Sequence, residues 1–425
     1  MHFDLIIIGA GAAGLIAAAR SAECGARTLL LEKNDQAGVK ILMSGGTRCN
    51  ITHATDQQGI AEAFAMFDRK QAGFLRSSLA ALPPERVVEL TEAEGVATKV
   101  EKTGKVFPVS NRAVDVRDAL LRRVNKSGAT LLTNNAVVDV ARSDGGYIVS
   151  TANNLFTAPH LLITSGGQSY PGSGTTGDGY VWARKLGHTV VTPAPALTPL
   201  TTNEDWVKQL QGMTLPDVTL SLVFQDPERD LNGYGTKQHL ISRRSSLLFT
   251  HFGLSGPAAL DLSRVMTRQF APTAFSVICD LVPDMPRETL TEQLTRSCQH
   301  NGRRTLLSLL QEFVPRRLAE WLAMRTTGKG SRPSAELSKK QLNHLSTTMK
   351  TCVIPVSGTS GFRKAEVTTG GVDLNQVDSR TMQSKQVRGL YFAGEVLDVD
   401  GPIGGFNFQA AFSTGWLAAE SAATT

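Results

Sequence analysis

The 425-residue chain is 41% apolar and 19% charged with a formal net charge of +6, which excludes a disordered or fibrous protein and leaves room for two or three domains with their own cores. Its five cysteines (Cys24, Cys49, Cys279, Cys298, Cys352) show no CxxC or CxxH spacing and its eight histidines do not cluster, so neither a disulfide framework nor a metal site is expected. No apolar run approaches the roughly 20 residues of a membrane helix, and the start MHFDLIIIGAGAAGL lacks the basic flank of a signal peptide, so the expectation is a cytoplasmic protein without a membrane partner.

The first element is a continuous apolar strand, Leu5 to Ile8, running into Gly9, Gly11 and Gly14 in GxGxxG spacing with Ala12 and Ala13 between them. An alanine-rich helix pattern follows to about Cys24, then Gly25 and a second strand, Thr28 to Leu31, which ends at Glu32 and Lys33. Gly9 makes the tight turn, Gly11 lets backbone N–H groups approach a pyrophosphate at the helix N-terminus, and Gly14 allows close helix–strand packing. Glu32 is placed to accept hydrogen bonds from ribose hydroxyls and would repel a 2′-phosphate, which suits FAD or NAD and not NADP.

Downstream, KILMSGGTRCNIT (residues 40–52) gathers Lys40, Ser44, Gly45, Gly46, Arg48, Cys49 and Asn50 in one short loop. A basic group and free N–H groups there can neutralise a pyrophosphate and line the ring end of an extended cofactor; an ordinary glycine turn with a surface arginine is the simpler alternative. Val138 and the strand end Thr164-Ser165-Gly166 join the expected cofactor contacts, the latter because small residues at a strand's C-terminal end let ligand and backbone come close. The glycines after residue 166 form no second strand-GxGxxG-helix unit, so no separate nicotinamide domain is expected.

The Pro-rich VTPAPALTPL (residues 191–200) cannot continue a helix or central strand and marks a crossing out of the first domain. Short β-rich runs such as Val218 to Phe224, Leu247 to Thr250 and Phe275 to Leu281 then predict a small antiparallel unit, and from Pro286 to about Lys350 apolar residues at 3- and 4-spacing predict helices. From Met285 to Lys350 there are twelve Lys/Arg against five Asp/Glu, a local +7 that carries the whole excess of the chain. The doublets Arg303-Arg304, Arg316-Arg317 and Lys339-Lys340 could contact phosphates; the simpler alternative is a solvated helical face.

Near the end, a strand from Leu390 leads to Gly394 and Glu395, and GPIGGFNFQAAF brings Gly404, Gly405 and Asn407 to a second glycine-rich helix start. An acid there can hold ribityl hydroxyls, and the helix N-terminus can face the electron-rich edge of a reduced flavin. NAD would leave this half unexplained, so FAD is the expected cofactor.

GAGAAG, KILMSGGTRCN, TSGGQSYPGSGTTGDGY, LLFTHFGLSGPA, EVTTGGVDL and GLYFAGEVLDVDGPIGGFNFQAAFSTG resemble, nearly end to end, the bacterial HI0933-like (BaiN/RdsA-type) flavoproteins. The resemblance implies an α/β fold in which a Rossmann-like FAD-binding domain is built from both chain ends (1–192 and 352–425) around an inserted substrate domain, β-barrel-like over 193–285 and basic and helical over 286–351. It further implies an oxidoreductase in which NAD(P)H is the electron donor, FAD the carrier and a C=C bond the acceptor, either uridine in ribosomal RNA or a small-molecule enone of the bile-acid kind. The basic segment favours RNA, which a steroid-like substrate would not need; a non-redox RNA-binding protein stabilised by FAD is the alternative outside enzymes. Cys49, beside Arg48, is the candidate proton donor, with a buried packing role as its alternative; Asp398 and Asp400 are other polar candidates near the ring, for which capping or loop bracing is the simpler role. Thr47 stands where a third glycine is common in the family.

Overall fold

The computed structural model describes residues 2–225, 237–269, 275–300, 304–329 and 332–424. They fall into two compact units, Met1–Ala196 with Phe362–Thr425, and Leu197–Gly361. Among the described residues no helix is long and apolar enough to cross a membrane, and no group of three His, Cys, Asp or Glu side chains could hold a metal ion.

The first unit is built on a five-stranded parallel sheet ordered Leu390–Phe392, His160–Ile163, Leu5–Ile8 (β1), Thr28–Leu31 (β2), Thr130–Leu132. Parallel sheets are covered on both faces, so their central strands are uninterrupted apolar runs; LIII of β1 and TLLL of β2 are buried at every position. Helix α1, Ala12–Glu23, packs against the last helix, Phe406–Ala423. Their axes approach closely because the contact is made of small residues: a Cβ on Gly415 would lie 2.5 Å from the Ala13 carbonyl oxygen. The two chain ends therefore form one core, in which Leu5, Ile7, Leu15, Phe392 and Trp416 share a single cluster.

Three small antiparallel ladders complete this unit: Val137–Ser143 with Gly146–Thr151 and Leu155–Ala158; Thr52–His53 with Lys105–Pro108 and Thr98–Val100; and Val190–Ala196 with Val367–Val372. The last ladder moves the expected crossing. VTPAPA does form a strand, bulged between Val191 and Ala194 and paired on one side only, which is where a residue without an N–H is tolerated. The chain leaves the unit after Ala196 and not at 192.

In the second unit all seven strands are antiparallel, ordered Cys352–Val356, Phe275–Asp280, Thr214–Gln225, Lys237–Thr250, Gly253–Ser255, Leu200–Thr201, Gly358–Thr359. The first and last of these are separated in sequence by Ser357 alone, so the sheet curls back on itself into a barrel-like form. The helices Arg287–His300, Leu306–Leu310, Arg316–Thr327 and Lys339–Lys350 bury Leu290, Leu318, Leu322 and Leu345 in one cluster with Val277 and Ile354 of that sheet. The expected split at 285/286 is thus absent, because a helical face with period 3.6 needs the sheet to cover it. Residues 352–361 also belong here and not to the first unit, since Cys352–Val356 pairs with Phe275–Asp280.

Candidate functional site

The N-terminal turn has the sterics its glycines demand. A Cβ on Gly14 would lie 1.9 Å from the Gly9 carbonyl oxygen, and one on Gly9 2.8 Å from Ser165 Cα, whereas one on Gly11 would meet nothing within 4 Å. Gly11 caps α1 without a side-chain hydrogen bond, so the first-turn N–H groups of Ala12, Ala13 and Gly14 are not claimed by a cap and face the open side. Glu32 Oε2 accepts from Ala10 N at 2.8 Å and Oε1 from Asn34 N at 2.9 Å, which fixes the buried carboxylate while leaving each oxygen a lone pair. Lys33 is spoken for: its Nζ donates to Asp178 Oδ2 and Thr176 Oγ1, both at 2.7 Å. Val138 is 62% exposed and sits at a β-bulge between Val137 and Asp139, so its backbone groups lie outside the regular ladder.

The helix Val39–Thr47 (α2) breaks at its end, where Gly45, Gly46 and Thr47 take φ of 55°, 67° and 68°. Three successive left-handed residues reverse the chain; Thr47 does so at a steric cost, which explains why glycine suits that position. Lys40, expected at a pyrophosphate, instead donates to Glu395 Oε2 and Ser169 Oγ, each at 2.5 Å. Glu395 Oε1 accepts in addition from Ser169 Oγ at 2.7 Å and Thr368 N at 2.8 Å. This carboxylate ties four chain segments together and braces the loop in which it was expected to serve a cofactor. Arg48 pairs with Glu101 at 2.7 Å and lies 4.1 Å over the Phe107 ring, so it too acts on protein groups. Cys49 is fully buried, and burial pushes its thiol up to about 12; an acid needs access to its acceptor and a pKa near the working pH, so the structure favours the packing role.

Thr164 Oγ1 donates to the Gly9 carbonyl at 2.8 Å, holding the 160–163 strand end against the turn, and Gly166 takes φ 73° beside Thr175. In the C-terminal loop Asn407 accepts from Gly401 N at 2.8 Å and donates to Gly401 O at 3.0 Å. Its amide is occupied by the loop it was expected to serve. Asp398 Oδ1 accepts from Gly370 N at 3.2 Å, and Gln71 donates to Asp400 Oδ1 at 3.2 Å, consistent with bracing. Gly404 and Gly405 lead into Phe406–Ala423, and Gly405 caps that helix without a side-chain hydrogen bond.

Three buried side-chain oxygens in this unit have no hydrogen-bond partner: Asn50 Oδ1, Ser165 Oγ and Thr369 Oγ1. Buried polar atoms are normally satisfied, and an orphan calls for a missing partner. With two glycine-capped helix starts and an acid at the end of β2, they fit an extended dinucleotide that brings an anionic centre and N–H or O–H donors. Ser169, Thr368, Thr369 and Gln71 carry no local sequence signal for this site; Thr368 lies in EVTTGGVDL, and only the fold brings it to Glu395.

Of the basic doublets, Arg303 lies outside the described residues. Arg304 pairs with Glu312 at 2.6 Å, Arg316 with Glu320 at 2.9 Å, and Arg317 donates to the carbonyls of Gln209 and Gln211. Lys339 and Lys340 are exposed and, among the described residues, have no ion-pair partner.

A model of the HI0933-like protein Rossmann domain family matches residues 3–421. The chain is 35% identical over 428 residues to a ribosomal RNA dihydrouridine synthase of Escherichia coli strain K12, covering 99% of this chain and 98% of that protein. It is 27% identical over 424 residues to a 3-dehydro-bile acid delta(4,6)-reductase of Clostridium scindens, covering 98% of each. Among solved structures, a 3-ketosteroid-delta4-(5alpha)-dehydrogenase from Rhodococcus jostii RHA1 aligns over 100% of this chain and 97% of its own with a TM-score of 0.50 at 14% identity, a likeness of fold.

Proposed function

The chain belongs to the HI0933-like family, and on that premise we propose that it reduces a carbon–carbon double bond with electrons from NAD(P)H, and that its substrate is uridine in ribosomal RNA. It is an oxidoreductase with a Rossmann-type FAD-binding domain. The observation that carries the RNA reading is the near end-to-end 35% identity to the E. coli protein.

In this reading the N–H groups at the start of α1 hold the pyrophosphate and Glu32 takes the adenosine ribose. Asn50, Ser165 and Thr369 supply acceptors to the rest of the cofactor, and the uncapped start of Phe406–Ala423 faces its ring. When bound, FAD supplies a two-electron carrier between NAD(P)H and an electron-poor alkene. Lys40, Ser169, Thr368 and Glu395 act one step back, as a brace that keeps the two halves of the site in register. The proton for the second alkene carbon comes from a group other than Cys49, whose thiol has no exposed surface.

Mass spectrometry of ribosomal RNA from cells with and without the gene tests the substrate: a uridine gaining two hydrogens only when the gene is present is the expected result. NADPH oxidation by purified protein that needs added ribosomal RNA is the expected counterpart in vitro. The bile-acid reductase similarity over 98% of both chains favours a second reading, a small enone as substrate. Turnover with a soluble enone that ignores RNA would establish it, and a bound flavin that NAD(P)H never reduces would sink both.

A further inference from the structure

The chain's charge count points at the second unit, but the first carries a basic surface beside the cofactor loop. The three-stranded ladder fixes which side chains share a face: Lys99 is opposite Phe107, and Lys105 is opposite His53. Alternation along a strand puts Lys105 on the same side as Phe107, about 7 Å apart along the chain. Lys99, Lys105 and His53 therefore share a face with Phe107, whose ring Arg48 covers at 4.1 Å, with the exposed Lys102 at the turn between the strands. Arg48 is shared with Glu101. Lys99, Lys102 and Lys105 have no ion-pair partner among the described residues, so their charge is available. His53 adds none: burial lowers its pKa, with Lys105 contributing in the same direction.

This face is continuous with the proposed cofactor site. His53 stacks on Phe406 at 4.9 Å and 18°, at the first turn of the helix capped by Gly405. Thr52 Oγ1 donates to Gln409 Oε1 at 2.6 Å, and Ile51 N donates to Val106 O at 2.8 Å, which joins the ladder to Asn50. A row of unpaired lysines leading to such a corner has no complement within its own ladder beyond Glu101.

We propose that the Lys99–Lys102–Lys105 face binds backbone phosphates of the RNA substrate and lays the target nucleotide at the Asn50–Gly405 corner. This rests on the RNA reading above and adds where the RNA is held. Phosphate contacts fix register and orientation while carrying no sequence information, which is what a lysine row without free aromatic faces supplies.

The test is binding of purified ribosomal RNA to the FAD-loaded protein at several salt concentrations, for the parent and for the double variant Lys99→Gln, Lys105→Gln. The expected result is affinity reduced about tenfold and a log affinity against log salt slope shallower by about 1.4, from about 0.7 per lost contact on a single strand. The ratio of flavin to protein absorbance and the melting temperature should match the parent, because both lysines are neutralised and not truncated. A variant that binds RNA like a parent that binds it well overturns this surface and leaves the RNA reading standing. A parent with no affinity for ribosomal RNA overturns both. Intact RNA binding with loss of NADPH-driven flavin bleaching would reassign the face to the electron donor and also overturn the proposal.

Discussion

At the N-terminal helix start an added Cβ on Gly11 would meet no atom within 4 Å, whereas at the C-terminal start one on Gly405 would lie 2.5 Å from the Thr52 carbonyl oxygen. No protein atom requires glycine at the first turn, whereas the second keeps its glycine for the protein itself. In the proposed function the first glycine serves the cofactor, so the same residue type in the same kind of place answers to a ligand in one case and to tertiary packing in the other. The neighbouring Gly14 shows that both kinds occur within one motif, since its Cβ would lie 1.9 Å from Gly9 O.

Substitution to alanine separates these cases. Gly14→Ala forces backbone against backbone and should cost about 3 kcal/mol or more, enough to leave little folded protein; thermal unfolding and yield measure it. Gly405→Ala meets Thr52 and also requires φ 92° of a residue with a Cβ, so a loss of about 2 kcal/mol is expected, accompanied by lower flavin content. Gly11→Ala should leave the melting temperature within the scatter of surface changes, about 0.5 kcal/mol, while flavin occupancy falls. Should Gly11→Ala unfold the protein, or Gly405→Ala lose flavin with no loss of stability, the contrast between the two turns is broken.

The N-terminal turn could be read from the sequence because every part of it is local: strand, glycine spacing, helix and Glu32 lie within residues 5–32. Long-range pairing defeated the rest. Arg48 is a candidate pyrophosphate contact by its place in the glycine loop, and only the fold pairs it with Glu101, 53 residues away. Lys40 and Glu395 were placed at the site for their charge, and the fold joins them to each other across 355 residues. The basic excess along the chain lies in 285–350, but Arg304 and Arg316 there are matched by Glu312 and Glu320, while Lys99, Lys102 and Lys105 lie in a segment whose net charge gives no signal. The boundary at 351/352 failed for the same reason, since nothing near Cys352 announces its partner strand at Phe275–Asp280.

Cys49 sharpens the contrast between a loop that faces ligand and one that packs. With its thiol pushed from 9.0 up to about 12 by burial, the folded protein holds it protonated where the unfolded chain would ionise. The folded-state pKa is the higher one, so stability from this group is intact below about pH 9 and is lost as pH rises above that value, because only the unfolded state releases the proton. Alkylation of native protein at pH 8, read by mass spectrometry, should modify exposed Cys24 and spare Cys49. Rapid modification of Cys49 would return it to the list of proton donors.

The smallest effect is expected at Thr47, the one residue of the 45–47 turn that is not glycine. A β-branched residue at φ 68° carries a left-handed penalty of about 1–2 kcal/mol, and its hydroxyl bonds only to the Gly46 carbonyl, at 2.6 Å on an exposed surface. Thr47→Gly removes that strain but adds about 0.5–1 kcal/mol of chain entropy to be lost on folding. The two nearly offset, leaving a net gain of about 0.5 kcal/mol and a small rise in melting temperature with flavin retained. A marked loss instead would mean that the hydroxyl or methyl of Thr47 contacts the bound cofactor, and the 45–47 turn would then belong with Gly11 and not with Gly405.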